Sequence, residues 1–396
     1  QHKRAYARPG QCLGTVRSDA SQADYDHPGL REAINSRLAD EQRGPVTPVK
    51  ARSRSRSIDA VHARILLPNK RGAVYVTQHN NPAIIELVSG SGALTLHNCD
   101  CIEGMTDRVA PGSVDVVVTS PPYNLGIEYR SYDDRISRHE YLAWTVKWAS
   151  CVARMLAPTG SFFLNIGSRP KDPWVPFEVA SALRDIFQLQ NTIHWIKSIA
   201  ISRADVGDYP GLEGDIAVGH YKPINSGRFV NDCHEYIFHF TLTGDVPLDR
   251  KGVGVPYQDK TNIARWAGTR SDRSDLRCRG NTWFIPYQTI KCAADERPHP
   301  ATFPPRLPEM CIKLHGLDRC GLVMDPFLGL GNSGVACAVL GIPFIGFEID
   351  PVYFAESVKR IDRAAVRGSE GVASGPAERA RPILLRPLPF GEDSRP

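Results

Sequence analysis

No run of apolar residues in this chain approaches the roughly 20 that a membrane-spanning helix needs. No apolar segment follows the opening QHKRAYARPG, so neither a membrane anchor nor a secretory signal is expected. Cysteine pairs at zinc-ribbon spacing are missing too: the ten cysteines are scattered, the closest two being Cys99 and Cys101. His299 and His315 fall near Cys292, Cys311 and Cys320 but not at ligand spacing, so no metal site is expected. Scattered thiols of this kind fit a reducing, cytoplasmic setting. No internal repeat is visible.

What is present is ample. The chain has 396 residues at 42% hydrophobic composition, enough for one large domain with additions or for two domains. The net charge of +5 is unevenly placed. Residues 1–90 hold 14 Lys+Arg against 8 Asp+Glu, and the remainder holds 34 against 35. The centre of that excess is VKARSRSRS, ending at Ser57. Residues 1–90 read as a solvated, disordered basic leader. The sharper alternative is a non-specific phosphate-binding tail.

Regular patterning begins near residue 90. GALTLHNCDCIEGM predicts a strand over 93–97 and a helix start at Asp100, and SVDVVVTS predicts the next strand. Over 139–156, Leu142, Val146, Ala149, Val152, Ala153 and Leu156 recur at helical spacing, and PTG is expected to end that helix. SFFLNIG, LQNTIHWIKS and HEYIFHFT read as strands and PFEVASALRDIF as a helix. Residues 200–225 and 243–282 lack periodicity but interleave basic and aromatic side chains, including Arg250, Lys251, Tyr257, Lys260, Arg265, Trp266, Arg277 and Arg279. Long irregular segments inside a domain are usually functional or disordered. Beyond 366 the chain turns rich in Gly, Pro and Arg and reads as a disordered tail, 367–396.

GLVMDPFLGLGNSGVACAVLGIPFIGFEID parses as strand, glycine-rich turn, helix and a strand ending in an acid, a βαβ unit. Gly329 and Gly331 permit a tight turn and a close approach to a ligand. Asn332 or Ser333 is placed to cap the helix. Glu348, about twenty residues on, is placed to bond the two hydroxyls of a ribose. With Gly334 the glycines also satisfy the dinucleotide spacing, so the turn alone leaves the nucleoside cofactor open. Asp325 ahead of it suits a cationic amino group.

The second motif is VDVVVTSPPYNLG, where a buried-type strand runs into Ser120, Pro121, Pro122 and Tyr123. Proline fixes φ and lacks an N–H, so two in succession make a stiff loop with accepting carbonyls. The serine adds a donor and acceptor, and the tyrosine a flat face. Together they suit a planar substrate bearing an amino group.

These residues resemble the amino-methylating DNA methyltransferases, with Ser120-Pro121-Pro122-Tyr123 as the catalytic loop and Phe327-Leu328-Gly329-Leu330-Gly331 as the S-adenosylmethionine turn. The loop precedes the turn, which resembles the permuted, or beta, group. The resemblance spans about residues 92–365 and takes in LHNCDCIEGM and HPATFPPRLPEMCIKLHG. It implies a Rossmann-like α/β fold with a catalytic half at 91–199 and a target-recognition region at 200–290, strand 234–241 excepted. The cofactor half is then 291–366. It implies that Asp325 and Glu348 bind the methionine amine and ribose, that Asp100 contacts the adenine or adjacent methionine end, and that His299 and Thr302 complete the pocket. Serine in first position resembles the cytosine-N4 enzymes more than the adenine-N6 enzymes, and NIGS, IHWIKSIAI and RCRGNTWFIPY lie on the same side. Carbon-5 methylation is disfavoured because the chain has no Pro-Cys dipeptide.

The expected partner is double-stranded DNA with the target base flipped out and stacked on Tyr123, in a restriction–modification setting with a separately acting endonuclease. Amine hydrogens bonded to Ser120 and the Pro121 carbonyl would free the lone pair for direct, in-line attack. No strong base is apparent among these residues. The rival readings are an adenine-N6 enzyme, a catalytically silent DNA-binding module of the same fold and, most distantly, a dinucleotide oxidoreductase.

Overall fold

The structure, a computed structural model, describes residues 84–89, 92–207, 214–219, 226–258, 260–261, 275–286 and 302–372. The VKARSRSRS arm, the tail beyond 372, His299, Arg265 and Trp266 lie outside the described residues.

A nine-stranded sheet carries the site. Its strands are β1 (Ile84–Ser89), β2 (Gly92–His97), β3 (Val114–Thr119), β4 (Leu156–Ile166), β5 (Gln188–Ile196), β8 (His234–Thr241), β11 (Thr282–Phe284), β12 (Val323–Asp325) and β13 (Phe344–Phe347). Their order is β1-β2-β13-β12-β3-β4-β8-β5-β11. All run parallel except β1 and β8, which pair antiparallel with their neighbours. The carboxyl ends of β3, β4, β5, β12 and β13 therefore share one edge of the sheet, and the amino end of β8 joins them. In open α/β sheets that edge is where ligands bind. Two hairpin-like pairs lie outside this sheet: β6 (Ile199–Ile201) with β7 (Ile216–Val218), and β9 (Val255–Pro256) with β10 (Leu276–Arg277).

The helices are α1 (Cys101–Arg108), α2 (Arg138–Met155), α3 (Val175–Ala182), α4 (Arg203–Val206), α5 (Arg306–His315), α6 (Asn332–Leu340) and α7 (Pro351–Val372). Asp100 caps α1, its carboxylate accepting from Ile102 and Glu103 N–H. Ser137 and Glu140 form a capping box on α2. Two apolar clusters cover the two faces of the sheet. In β3, Val116 and Val118 enter one and Val114 and Val117 the other. That break in alternation coincides with a register shift between Val114 and Val116, since one displaced residue flips every side chain beyond it.

Several boundaries differ from the sequence pattern. IIELVS forms β1, so the sheet reaches into the segment assigned to the leader. Leu156 already pairs with Val114, and Ser161 is the next partner in the ladder, so Ala157–Gly160 loop out within β4 instead of ending the helix. Pro158 has no N–H to give a ladder, which suits a bulge. The buried stripe of α2 is Tyr141, Thr145, Trp148, Ala149, Val152 and Met155, displaced from the aliphatic stripe by its larger aromatic rings. β11 places residues 282–284, assigned to the irregular region, within the sheet.

Candidate active site

Strands β3 and β12 are neighbours, so the serine-proline loop and the glycine-rich turn emerge side by side. Asp325, 1% exposed, joins them. Its Oδ1 accepts from Thr119 Oγ1 at 2.6 Å and from the Phe327 N–H at 3.1 Å, and its Oδ2 accepts from Ser333 Oγ at 2.7 Å. Burial pushes this carboxyl up to about 6, against the pull of those donors.

The glycine-rich turn closes back on Glu348. Gly329 N–H donates to Glu348 Oε2 and Asp350 N–H to Oε1, each at 2.8 Å. Burial raises the Glu348 carboxyl to about 7. Gly329 and Gly331 have φ of 52° and 78°. A Cβ on Gly331 would come within 2.9 Å of Ser357 and Ile361 on α7, so this glycine is required by helix packing. Phe327 is held edge-on by Trp144 and Trp148 at ring distances of 5.5 and 5.1 Å.

A concave site opens between these parts. Its walls include Asp100, Ser120–Tyr123, Trp144, Thr302, Phe327, Gly329, Asn332 and Glu348, with Tyr129, Ser131, Tyr132 and Asp350. The structure thus brings most of the expected residues to one cavity. Three it does not. Asp325 and Ser333 lie beneath the wall and bond each other, and Gly331 packs against α7. Asp325, expected to meet an amino group directly, is placed by the structure beneath the cavity wall, where its carboxylate accepts from Thr119, Phe327 and Ser333 and ties two strand ends together. Neither Asn332 nor Ser333 caps α6, whose cap is Gly331. Asn332 instead donates to the Phe303 carbonyl at 2.6 Å and accepts from Arg360 at 2.7 Å.

The serine-proline loop is shaped by Asp134, a residue the sequence does not single out. Its carboxylate accepts from the N–H groups of Asn124 at 2.7 Å, Leu125 at 2.9 Å and Ile127 at 3.0 Å. Asn124 takes φ of 56°, a conformation asparagine tolerates better than most residues. The Pro122 carbonyl accepts from Tyr141 at 2.9 Å. Ser131 donates to Asp350 at 2.6 Å, fastening the following loop across the cavity to the end of β13.

Tyr123 is 8% exposed, and its hydroxyl is its most engaged atom. Ser120 Oγ lies 2.6 Å from it, Asn165 Nδ2 donates to it at 2.8 Å, and it donates to Glu235 Oε2 at 3.2 Å. Asn165 also donates to Glu235 at 2.7 Å, and Lys197 pairs with Glu235 Oε1 at 3.0 Å. Burial drives the Tyr123 hydroxyl well above its ordinary value, so it stays protonated. Asn165, Lys197 and Glu235 were not legible as site residues. They stand near the ends of β4, β5 and β8, and only the strand order brings them together.

The site thus lies at the carboxyl edge of the α/β sheet, walled by the serine-proline-proline-tyrosine loop and the glycine-rich turn. Among known proteins, the DNA methylase family model N6_N4_Mtase matches residues 114–359. The chain belongs to this family of DNA methylases. It is 25% identical to the type II methyltransferase M.HpaI of Haemophilus parainfluenzae over 63% of this chain and 68% of that protein. It is 24% identical to the DNA adenine methyltransferase YhdJ of Escherichia coli K12 over 72% of this chain and 88% of that one. A solved structure described as PvuII DNA methyltransferase (cytosine-N4-specific) shares 20% identity at a TM-score of 0.47, covering 72% of this chain and 94% of that one. No described helix is long and apolar enough to cross a membrane, and no described cluster of His, Cys, Asp and Glu is placed to hold a metal.

Proposed function

We propose that the protein transfers a methyl group from S-adenosylmethionine to the exocyclic N4 amine of cytosine in double-stranded DNA, as the modification half of a restriction–modification system. The observation that carries this reading is the juxtaposition of Ser120 with the glycine-rich turn across β3 and β12, in one cavity.

The residues present fit the cofactor. Glu348 offers a carboxylate to a ribose, Asp100 offers another, and Phe327, Phe347 and Ile349 give apolar walls for an adenine. The Tyr132 hydroxyl on the same cavity is buried with no hydrogen-bond partner among the described residues and offers a further polar contact. S-adenosylmethionine, when bound, supplies an electrophilic methyl group. The protein's part is positioning. Ser120 Oγ and the Pro121 carbonyl accept hydrogens of the amine and draw its lone pair out of conjugation with the ring. The stiffness of the two prolines, fixed further by Asp134 and by Tyr141 on Pro122, holds those acceptors in place.

The target base of a duplex must leave the stack to reach this cavity. Residues 200–290 outside the sheet, including Arg250, Lys251 and Arg277, are the surface proposed to read the DNA sequence. Serine at position 120 favours cytosine. The adenine reading keeps support from the match to YhdJ. Incubation of the full chain with labelled S-adenosylmethionine and plasmid DNA, followed by nucleoside mass analysis, tests the reading. N4-methylcytosine is expected. N6-methyladenine alone overturns the base assignment, and no transfer to any DNA overturns the activity.

A further inference from the structure

We propose that Glu235 is the terminal proton acceptor of the transfer step, reached from the substrate amine through Ser120 and Tyr123. The inference rests on the methyl-transfer reading above and adds the base that the sequence does not reveal.

The direction of the hydrogen bonds carries the argument. A tyrosine hydroxyl has one hydrogen to donate. Tyr123 gives it to Glu235 Oε2 and accepts from Asn165 Nδ2. Either oxygen can donate in the remaining 2.6 Å contact to Ser120, and with the tyrosine hydrogen on Glu235 it runs from the serine O–H to the tyrosine oxygen. Ser120 Oγ is left as an acceptor on the cavity wall, where an amine hydrogen would meet it. The wire therefore has one polarity, from substrate to Glu235.

The other contacts fix its far end. Asn165 Nδ2 has two hydrogens and makes its short contacts to Tyr123 and Glu235 Oε2, at 2.8 and 2.7 Å, bracing the two groups in a triangle, with Ser120 Oγ farther away at 3.5 Å. Lys197 takes the other carboxylate oxygen, Oε1, which turns Oε2 toward Tyr123. Gly167, at the end of β4, is the space that allows this approach. A Cβ there would lie 3.1 Å from Glu235 Cγ, 3.2 Å from its Cδ and 3.2 Å from Tyr123 Cε2. Its φ is not in the left-handed region, so the missing side chain is a matter of room.

The step balances. The amine nitrogen bonds to the methyl carbon as the carbon–sulfur electrons leave with sulfur, and the nitrogen becomes cationic. One of its protons passes to Ser120 Oγ, the seryl proton to the Tyr123 oxygen, and the tyrosyl proton to Glu235 Oε2. The products are a neutral methylamine, a neutral thioether and a neutral carboxylic acid. The positive charge of the sulfonium and the negative charge of the carboxylate cancel. The acid returns its proton to water afterwards, from a side chain that is 15% exposed.

The test is single-turnover methyl transfer with saturating DNA and cofactor, comparing wild type, Glu235→Gln, Tyr123→Phe and the double variant. Glutamine keeps the shape and, with its oxygen in the place of Oε2, still accepts from Tyr123 and Asn165, but it loses the Lys197 pair and takes no proton. A fall of roughly 100-fold in rate is expected for Glu235→Gln, the scale of general acid–base catalysis, with DNA and cofactor affinities within about twofold of wild type. The double variant should be no slower than the worse single one, because both cut one wire. Formate should partly restore a Glu235→Ala variant, and an infrared band of a protonated carboxyl should form during turnover in wild type and be missing in Glu235→Gln. Wild-type rates in Glu235→Gln, or weakened binding with an unchanged rate, overturn the proposal while methyl transfer stands. A wild type that methylates no DNA overturns the methyl-transfer reading itself.

Discussion

Thr119 Oγ1 donates a 2.6 Å hydrogen bond to Asp325 Oδ1 across a gap of 206 residues, tying the last residue of β3 to the last residue of β12. The bond sets the spacing between the serine-proline loop and the glycine-rich turn. Thr119→Val removes the donor and keeps the shape. It should cost about 1–2 kcal/mol, since the acceptor is a buried carboxylate. It should also lift the Asp325 carboxyl further, because a bond to its ionised form is lost. Chemical denaturation and a pH titration of stability check both.

Two acids titrate in an unusual range. Burial lifts Glu348 from an ordinary 4.5 to about 7 and Asp325 from 3.8 to about 6. Between the ordinary and the raised values the folded protein binds more protons than the unfolded chain. This contribution is therefore fully present below about pH 4 and is lost as pH rises through about 7. Glu348→Gln should flatten the profile, reducing the loss between about pH 4 and 8 by about 2–3 kcal/mol. Denaturant midpoints across that range decide it.

Asp134 holds the loop behind Tyr123 by three backbone N–H groups. Asp134→Ala should cost about 3 kcal/mol, because those donors lose a buried anion. Faster amide exchange at Asn124, Leu125 and Ile127 is expected alongside the lost stability. Unchanged protection at these amides would remove Asp134 from its role.

Trp148 is fully buried and stands edge-on to both Phe162 and Phe327. Trp148→Ala should destabilise by about 3–5 kcal/mol. It should also weaken cofactor binding, because Phe327 on the cavity wall loses one of its two indole supports. Denaturation and equilibrium binding separate the two effects.

Much of this architecture is legible in the chain, and the pattern of what is not has a physical basis. The turn at Gly329 and the Ser120–Tyr123 loop are local: a strand, two or three residues of special backbone chemistry and a helix or loop appear within a dozen positions. Asp325 also announces itself by its place in the turn, but its partners do not. Thr119 and Asp325 meet because β12 inserts beside β3, and strand order is set by long-range packing that no local window contains. Glu235 is the sharpest case. HEYIFHFT reads correctly as a strand, yet the same pattern gives no sign that its antiparallel course returns the second residue to the edge of the sheet that carries the cavity. A tyrosine valued for its face is held, in the fold, by its hydroxyl.

The most direct test of the central claim is methyl transfer to DNA by wild type and by Ser120→Ala, with the methylated nucleoside identified and cofactor binding measured in parallel. Wild type should yield N4-methylcytosine. Ser120→Ala should lose on the order of 100-fold in transfer rate while binding cofactor as before, because the proposed step makes Ser120 the acceptor of the amine hydrogen and the first member of the chain to Glu235. A Ser120→Ala protein that methylates DNA at the wild-type rate would contradict the account.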